Sequence, residues 1–99
     1  LLKNGIEAVV GIENPTISLT AQKENENLSI LIEDNGHGIS AENIQEVFIP
    51  FYSTKKTGSG IGLALSRKIV NAHGGSLTCT MTENSTTQFR ILLPKEVFA

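Results

Sequence analysis

The sequence predicts an α+β domain: a two-layer α/β sandwich in which a mixed, mostly antiparallel sheet is covered on one face by helices. Three observations carry that expectation. Apolar and polar residues alternate in two pairs of segments, as strands with one covered and one wet face require. One helical stripe precedes these pairs and another lies between them. The 99 residues leave room for a single core, and no apolar run is long enough to span a membrane.

Leu2, Ile6, Val9 and Val10 mark the first helix by their i, i+4, i+7 spacing, and residues 11–15 break it. It opens with no capping residue and no methionine, so it reads as an excised fragment that starts inside or just before a helix. Ile17, Leu19 and Ala21 alternate with Ser18, Thr20 and Gln22, and Leu28, Ile30 and Ile32 alternate with Ser29, Leu31 and Glu33. Residues 24–27 between them read as a hairpin turn. Ser40 would cap a short helix over residues 41–47. Ile61, Leu65, Ile69 and Ala72 predict a longer helix covering the sheet, with Arg67, Lys68 and Asn71 largely turned away. His73-Gly74-Gly75 suits its C-terminal end. Leu77, Cys79 and Met81, then Thr87, Phe89, Ile91 and Leu93, predict a second hairpin turning at Glu83-Asn84-Ser85. The expected order is α-β-β-α-α-β-β.

Charge and cysteine content narrow the function classes. A net charge of −2 lacks the basic face that a nucleic-acid binder needs. The single cysteine, Cys79, excludes an internal disulfide and provides no metal-ligand spacing. No basic start followed by an apolar run marks a secretory signal.

Two glycine segments and one asparagine carry the chemistry. Asp34-Asn35-Gly36-His37-Gly38-Ile39 sits where a strand gives way to a loop. Glycines there let the backbone approach a flat ligand, and Asp34 supplies a fixed acceptor for an exocyclic amine. A plain turn after a strand is the alternative at this point. Gly58-Ser59-Gly60-Ile61-Gly62-Leu63 opens the long helix, where free N–H groups favour polyphosphate. It is neither a P-loop nor a dinucleotide fingerprint, and a flexible hinge is its alternative. Asn4 offers a neutral carbonyl oxygen to a magnesium ion already bearing phosphate, or is an ordinary exposed helix asparagine.

The order Asn4, Asp34-x-Gly36-x-Gly38, Phe48-x-Pro50-Phe51 and Gly58-x-Gly60-x-Gly62 resembles the GHKL ATPase superfamily. Within it, the chain resembles the catalytic and ATP-binding (HATPase_c) domain of a bacterial two-component sensor histidine kinase. The likeness runs from the N box LLKNGIEAV through DNGHGIS, VFIPFYSTK and GSGIGLALSRKIVNAHGG to TTQFRILLP. Residues 1–99 would then be that domain, truncated at its N-terminus and lacking the dimerisation and phosphoacceptor domain.

The resemblance implies roles for particular residues. Asn4 would bind the Mg2+ bridging the triphosphate of ATP. Asp34 would accept from the adenine amino group, with a water shared by Thr87, while Gly36 and Gly38 line the base pocket and Ile39 belongs to the same binding segment. Gly58, Gly60 and Gly62 would form the hinge of the ATP lid, with Ser59, Ile61 and Leu63 in the same binding segment. Phe48 and Phe51 read as apolar anchors of the lid. The lid is short, from Tyr52 to Thr57, as in nitrogen-regulation-like kinases, and Lys55 and Lys56 could reach a γ-phosphate. Many relatives carry a basic residue and an aromatic where this chain has Glu7 and Ala8, which removes a stacking partner there.

The implied function is transfer of the γ-phosphoryl group to a histidine of the parent's own dimerisation domain, then relay to a response-regulator receiver domain. Neither His37 nor His73 reads as the phosphoacceptor. The parent would be a cytoplasmic homodimer, or one anchored in the inner membrane, with no nucleic-acid partner. A regulatory serine kinase of the anti-sigma type, or a nucleotide-sensing pseudokinase, is the second class. An ATP-driven clamp is disfavoured by the short lid.

Overall fold

The computed structural model describes residues 1–40, 42–44, 46–49 and 62–95, and of Asn4 the backbone. Its elements are α1 (Leu2–Ala8), β1 (Ile17–Glu24), β2 (Asn27–Asp34), α2 (Gly62–Ala72), β3 (Ser76–Met81) and β4 (Thr87–Leu93). The strands form one sheet in the order β1-β2-β4-β3, and every pair is antiparallel. Both hairpins foreseen from the alternation are present. The first is tighter than expected, with only Asn25 and Glu26 between the strands, both at positive φ (49° and 74°). That backbone follows the right-handed twist of the flanking strands.

Register sorts the side chains into two faces. One face carries the rows Ile17–Asp34–Thr87–Met81, Leu19–Ile32–Phe89–Cys79 and Ala21–Ile30–Ile91–Leu77. The helices lie on this face, α1 over β1 and β2 and α2 over β3. Ile32, Leu77 and Phe89 are the buried core, and Leu1, Ile39, Phe48, Leu63, Val70, Cys79 and Ile91 pack around them. The opposite face is mostly polar, with Leu31 and Leu92 among its residues. There Arg90 pairs with Glu24 and donates from Nε to Ser29 Oγ at 3.3 Å, and Thr86 donates to Glu33.

Both helices present a different stripe from the one their apolar spacing predicts. Leu2, Ile6 and Val10 on and just after α1 are exposed, and Leu1, Gly5 and Ala8 turn inward instead. Gly5 faces the sheet, and a Cβ there would make ordinary contacts at 3.7 Å with Asp34 Oδ2 and Ile17. On α2, Leu65, Ile69 and Ala72 are exposed, whereas Leu63 and Val70 pack on the core and Arg67 lies between them. The Arg67 guanidinium sits 4.3 Å over the Phe48 ring, which meets Phe89 edge-on at 6.3 Å. An aromatic face stabilises a flat cation there, so an arginine occupies a position that hydropathy alone would place in water.

A further expectation is corrected. The described residues between Ser40 and Ile49 form successive turns rather than a continuous helix. Asn43 and Ile44 both donate to the Ser40 carbonyl, and Glu46 donates to that of Asn43. The end of α2 is as predicted. Gly74 has φ +78° and donates to Asn71, and Gly75 donates to Val70, a pairing that satisfies the last helical carbonyls.

Candidate functional site

The outermost row on the helix face holds two polar groups at its centre, between Ile17 and Met81. Asp34 and Thr87 are partners across β2 and β4, and both are buried, at 5% and 4% exposure. A carboxylate so enclosed needs donors. One is local: Gly36 donates its N–H to Asp34 Oδ1 at 3.0 Å, across the turn that leaves β2. Oδ2 points toward Gly5 of α1 and accepts no hydrogen bond among the described residues. It is an acceptor held in place and facing a helix that carries no side chain there.

Glycines shape the rest of the cradle. The loop after β2 lies directly on the end of α1, with His37 N–H donating to the Ala8 carbonyl at 3.3 Å. A Cβ on Gly36 would fall 2.6 Å from the Ala8 carbonyl carbon and 2.8 Å from its Cβ. The small Ala8 side chain is thus part of the surface on which the loop docks. Gly38 has φ +79°, and a Cβ there would lie 2.9 Å from Met81 Cε. Met81 closes the row beside Thr87, whose Oγ1 donates to its sulfur at 3.4 Å. A flat molecule with an exocyclic N–H donor fits such a floor of carboxylate, hydroxyl and bare backbone.

The predicted site residues divide three ways. Asp34, Gly36, Gly38 and Thr87 come together in this cradle. Ile39 and Leu63 pack against the hydrophobic core, and Gly62 is exposed at the start of α2. Asn4 lies on α1, adjacent to Gly5. Lys55, Gly58, Ser59, Gly60 and Ile61 lie outside the described residues, as do Phe51 and the whole predicted lid. Gly5 and Met81 are additions. Met81 was legible as the residue that alternation carries to the helix face, but only strand register places it opposite Thr87.

Cys79 sits one row inward, between this site and the core. Burial, and secondarily the Asp34 carboxylate, push its thiol up from 9.0 to about 11. Since the folded thiol holds its proton to higher pH than the unfolded one, stability is intact below pH 9.0 and falls as pH rises toward about 11. Cys79→Ala should flatten urea-unfolding midpoints across that window. Alkylation at pH 8 should be slow until the chain unfolds, and equal rates in both states would contradict the burial.

Comparisons with known proteins identify the family and the fold. Residues 1–97 match the family model described as histidine kinase-, DNA gyrase B-, and HSP90-like ATPase. The sensory histidine kinase/phosphatase NtrB of Rhizobium leguminosarum bv. phaseoli is 39% identical over 108 residues, covering 95% of this chain and 28% of that protein. The sensor histidine kinase ZraS of Escherichia coli (strain K12) is 33% identical over 97 residues, covering 98% of this chain and 20% of that protein. The chain therefore spans about a quarter of the length of these relatives. Among solved structures, the catalytic domain of histidine kinase ThkA superposes with a TM-score of 0.81 at 33% identity, covering 95% of this chain and 60% of that one. The mycobacterial sensor histidine kinase MprB, at 24% identity, shares the fold with a TM-score of 0.82, over 94% of this chain and 66% of its own. With a carboxylate cradle at the end of the sheet and these likenesses along nearly its whole length, the chain belongs to the histidine kinase-, DNA gyrase B- and HSP90-like ATPase family, and its fold is that of histidine kinase catalytic domains.

Proposed function

We propose that this chain is the ATP-binding catalytic domain of a sensor histidine kinase, working in the cytoplasm as part of a larger, homodimeric protein. It would donate the ATP γ-phosphoryl group to a histidine on the parent's dimerisation domain, for relay to a response-regulator aspartate. The observation that carries the reading is the buried Asp34. One of its oxygens is held by the Gly36 N–H, and the other faces Gly5 without a partner among the described residues. That oxygen would accept from an adenine amino group, and Thr87, its partner across the strands, would share a water with the same ring edge. A keto oxygen in the amine's place would meet the carboxylate acceptor-to-acceptor, so the cradle favours adenine over guanine.

The donor set fits a cation that arrives with its nucleotide. Among the described residues no group of three His, Cys, Asp or Glu could hold a metal by itself. One amide oxygen from Asn4 suits a Mg2+ whose other ligands are phosphate oxygens and water. Such an ion would neutralise charge developing on the transferred phosphoryl group. Lys55, together with the backbone of the segment Gly58, Ser59, Gly60, Ile61, Gly62 and Leu63, would hold the phosphates. The chain supplies positioning, and the accepting imidazole comes from elsewhere.

Calorimetric titration of an adenine nucleotide with and without Mg2+ tests the binding. The full chain should bind, and Mg2+ should tighten binding. Asn4→Ala should abolish most of that gain while leaving metal-free affinity within about two-fold, because one ligand of several is removed. Equal magnesium dependence in both proteins would remove Asn4 from the site. Phosphotransfer is tested by supplying a histidine-bearing dimerisation domain in trans with radiolabelled ATP; label on serine would favour the regulatory serine-kinase reading.

A further inference from the structure

We propose that Asn35, the second residue of the glycine segment, is a positioning residue for the base site, acting through Asp34 and Gly36. The inference rests on the reading of Asp34 as the acceptor for the adenine amine. Asn35 follows Asp34, the last residue of β2, where the ladder with β1 closes at the Ile17–Asp34 pair. Its side-chain amide is bonded at both ends to one loop. Oδ1 accepts from Thr16 N–H at 2.8 Å, and Nδ2 donates to the Asn14 carbonyl at 2.9 Å. Its own backbone N–H donates to the Thr16 carbonyl at 3.2 Å.

These three bonds tie the glycine segment to residues 14–16, the chain that connects α1 to β1. The same segment is tied to α1 itself by the bond from His37 N–H to Ala8. Gly36 stands between the two anchors and Asp34 immediately before the first, and the bond at 3.0 Å from Gly36 N–H to Asp34 Oδ1 spans Asn35. Only an amide on a short stem offers both a donor and an acceptor in this geometry. Aspartate would keep the bond from Thr16 and lose the one to Asn14, and alanine would lose both. Because the amide is engaged with the loop, its effect on a base is transmitted by the turn, and so should fall on recognition of the amine rather than on binding in general.

The test compares ADP with purine riboside diphosphate, which lacks the 6-amino group, in the full chain by calorimetry. The unmodified chain should prefer ADP by about 10- to 100-fold, as one charge-assisted hydrogen bond provides. No preference there would overturn the role of Asp34, and this proposal with it. Given that preference, Asn35→Ala should shrink the ratio about five-fold, within the coupling found between neighbours in one hydrogen-bond network. The analogue's affinity should change less than two-fold. Asn35→Asp should recover part of the ratio, and it carries the same test if the alanine variant does not fold. A loss shared equally by both ligands would reduce Asn35 to a structural role, and an unchanged ratio in either variant would overturn the proposal.

Discussion

Asp34→Asn should weaken binding of adenine nucleotides by about 10- to 100-fold while leaving the domain folded. The amide has the same shape, so its oxygen can keep the bond from Gly36 N–H now made by Oδ1. Its NH2 then takes the place of Oδ2 and turns a donor toward the donor on the base. A hydrogen bond to a charged group contributes about 1.5–3 kcal/mol, which sets the size of the loss. Stability should hold or rise, because a neutral amide at a site 5% exposed costs less to bury than a carboxylate. Cys79 is an internal reporter. Its thiol should move down from about 11, yet stay above 9.0 because burial is the larger cause. Undiminished affinity in a folded Asp34→Asn chain, measured by calorimetry alongside circular dichroism, would exclude this carboxylate from the site.

Gly36→Ala should cost both stability and ligand affinity, although it adds one methyl group. The added carbon would fall 2.6 Å from the Ala8 carbonyl carbon, a backbone atom that no rotamer change can move. Either the loop lifts off α1 and loses the bond from His37 to Ala8, or the helix end shifts. Overpacking of this kind costs about 1–3 kcal/mol and sometimes more. Lifting the loop also breaks the bond that orients Asp34, so affinity should fall at least ten-fold. The contrast is Gly5→Ala, where the new Cβ would make ordinary contacts at 3.7 Å. Alanine there should leave stability unchanged or raise it by up to about 1 kcal/mol through helix propensity. Equal urea midpoints for the two variants would mean that the loop is not pressed on the helix as the structure places it.

Several features were legible from residue order because they are local. Period-two alternation specifies which side chains share a face, so both hairpins and the covered face of the sheet follow from it. His73-Gly74-Gly75 ends α2 because a left-handed residue at Gly74 is an intrinsic glycine preference. Asp34, Gly36 and Gly38 were identifiable as a unit because they are adjacent in the chain. The turns between Ser40 and Ile49 were less legible, since capping and propensity are weak against the pull of the core on Phe48.

What residue order determined by itself was the strand pattern, the C-terminal end of α2 and the identity of the glycine-flanked carboxylate, since each is set by interactions within a few positions along the chain. Tertiary structure alone decided which helix stripes turn inward. Gly5 of α1 faces Asp34 and Ile17, and the Arg67 guanidinium lies over the Phe48 ring, while Leu2, Ile6, Leu65 and Ile69 remain outside despite their spacing. It alone also set Met81 beside Thr87 and fastened Asn35 to residues 14–16. A hydrophobic stripe states only that a helix has an apolar side. Which side meets the sheet depends on close approach and on partners distant in sequence, and these exist only once the chain has folded.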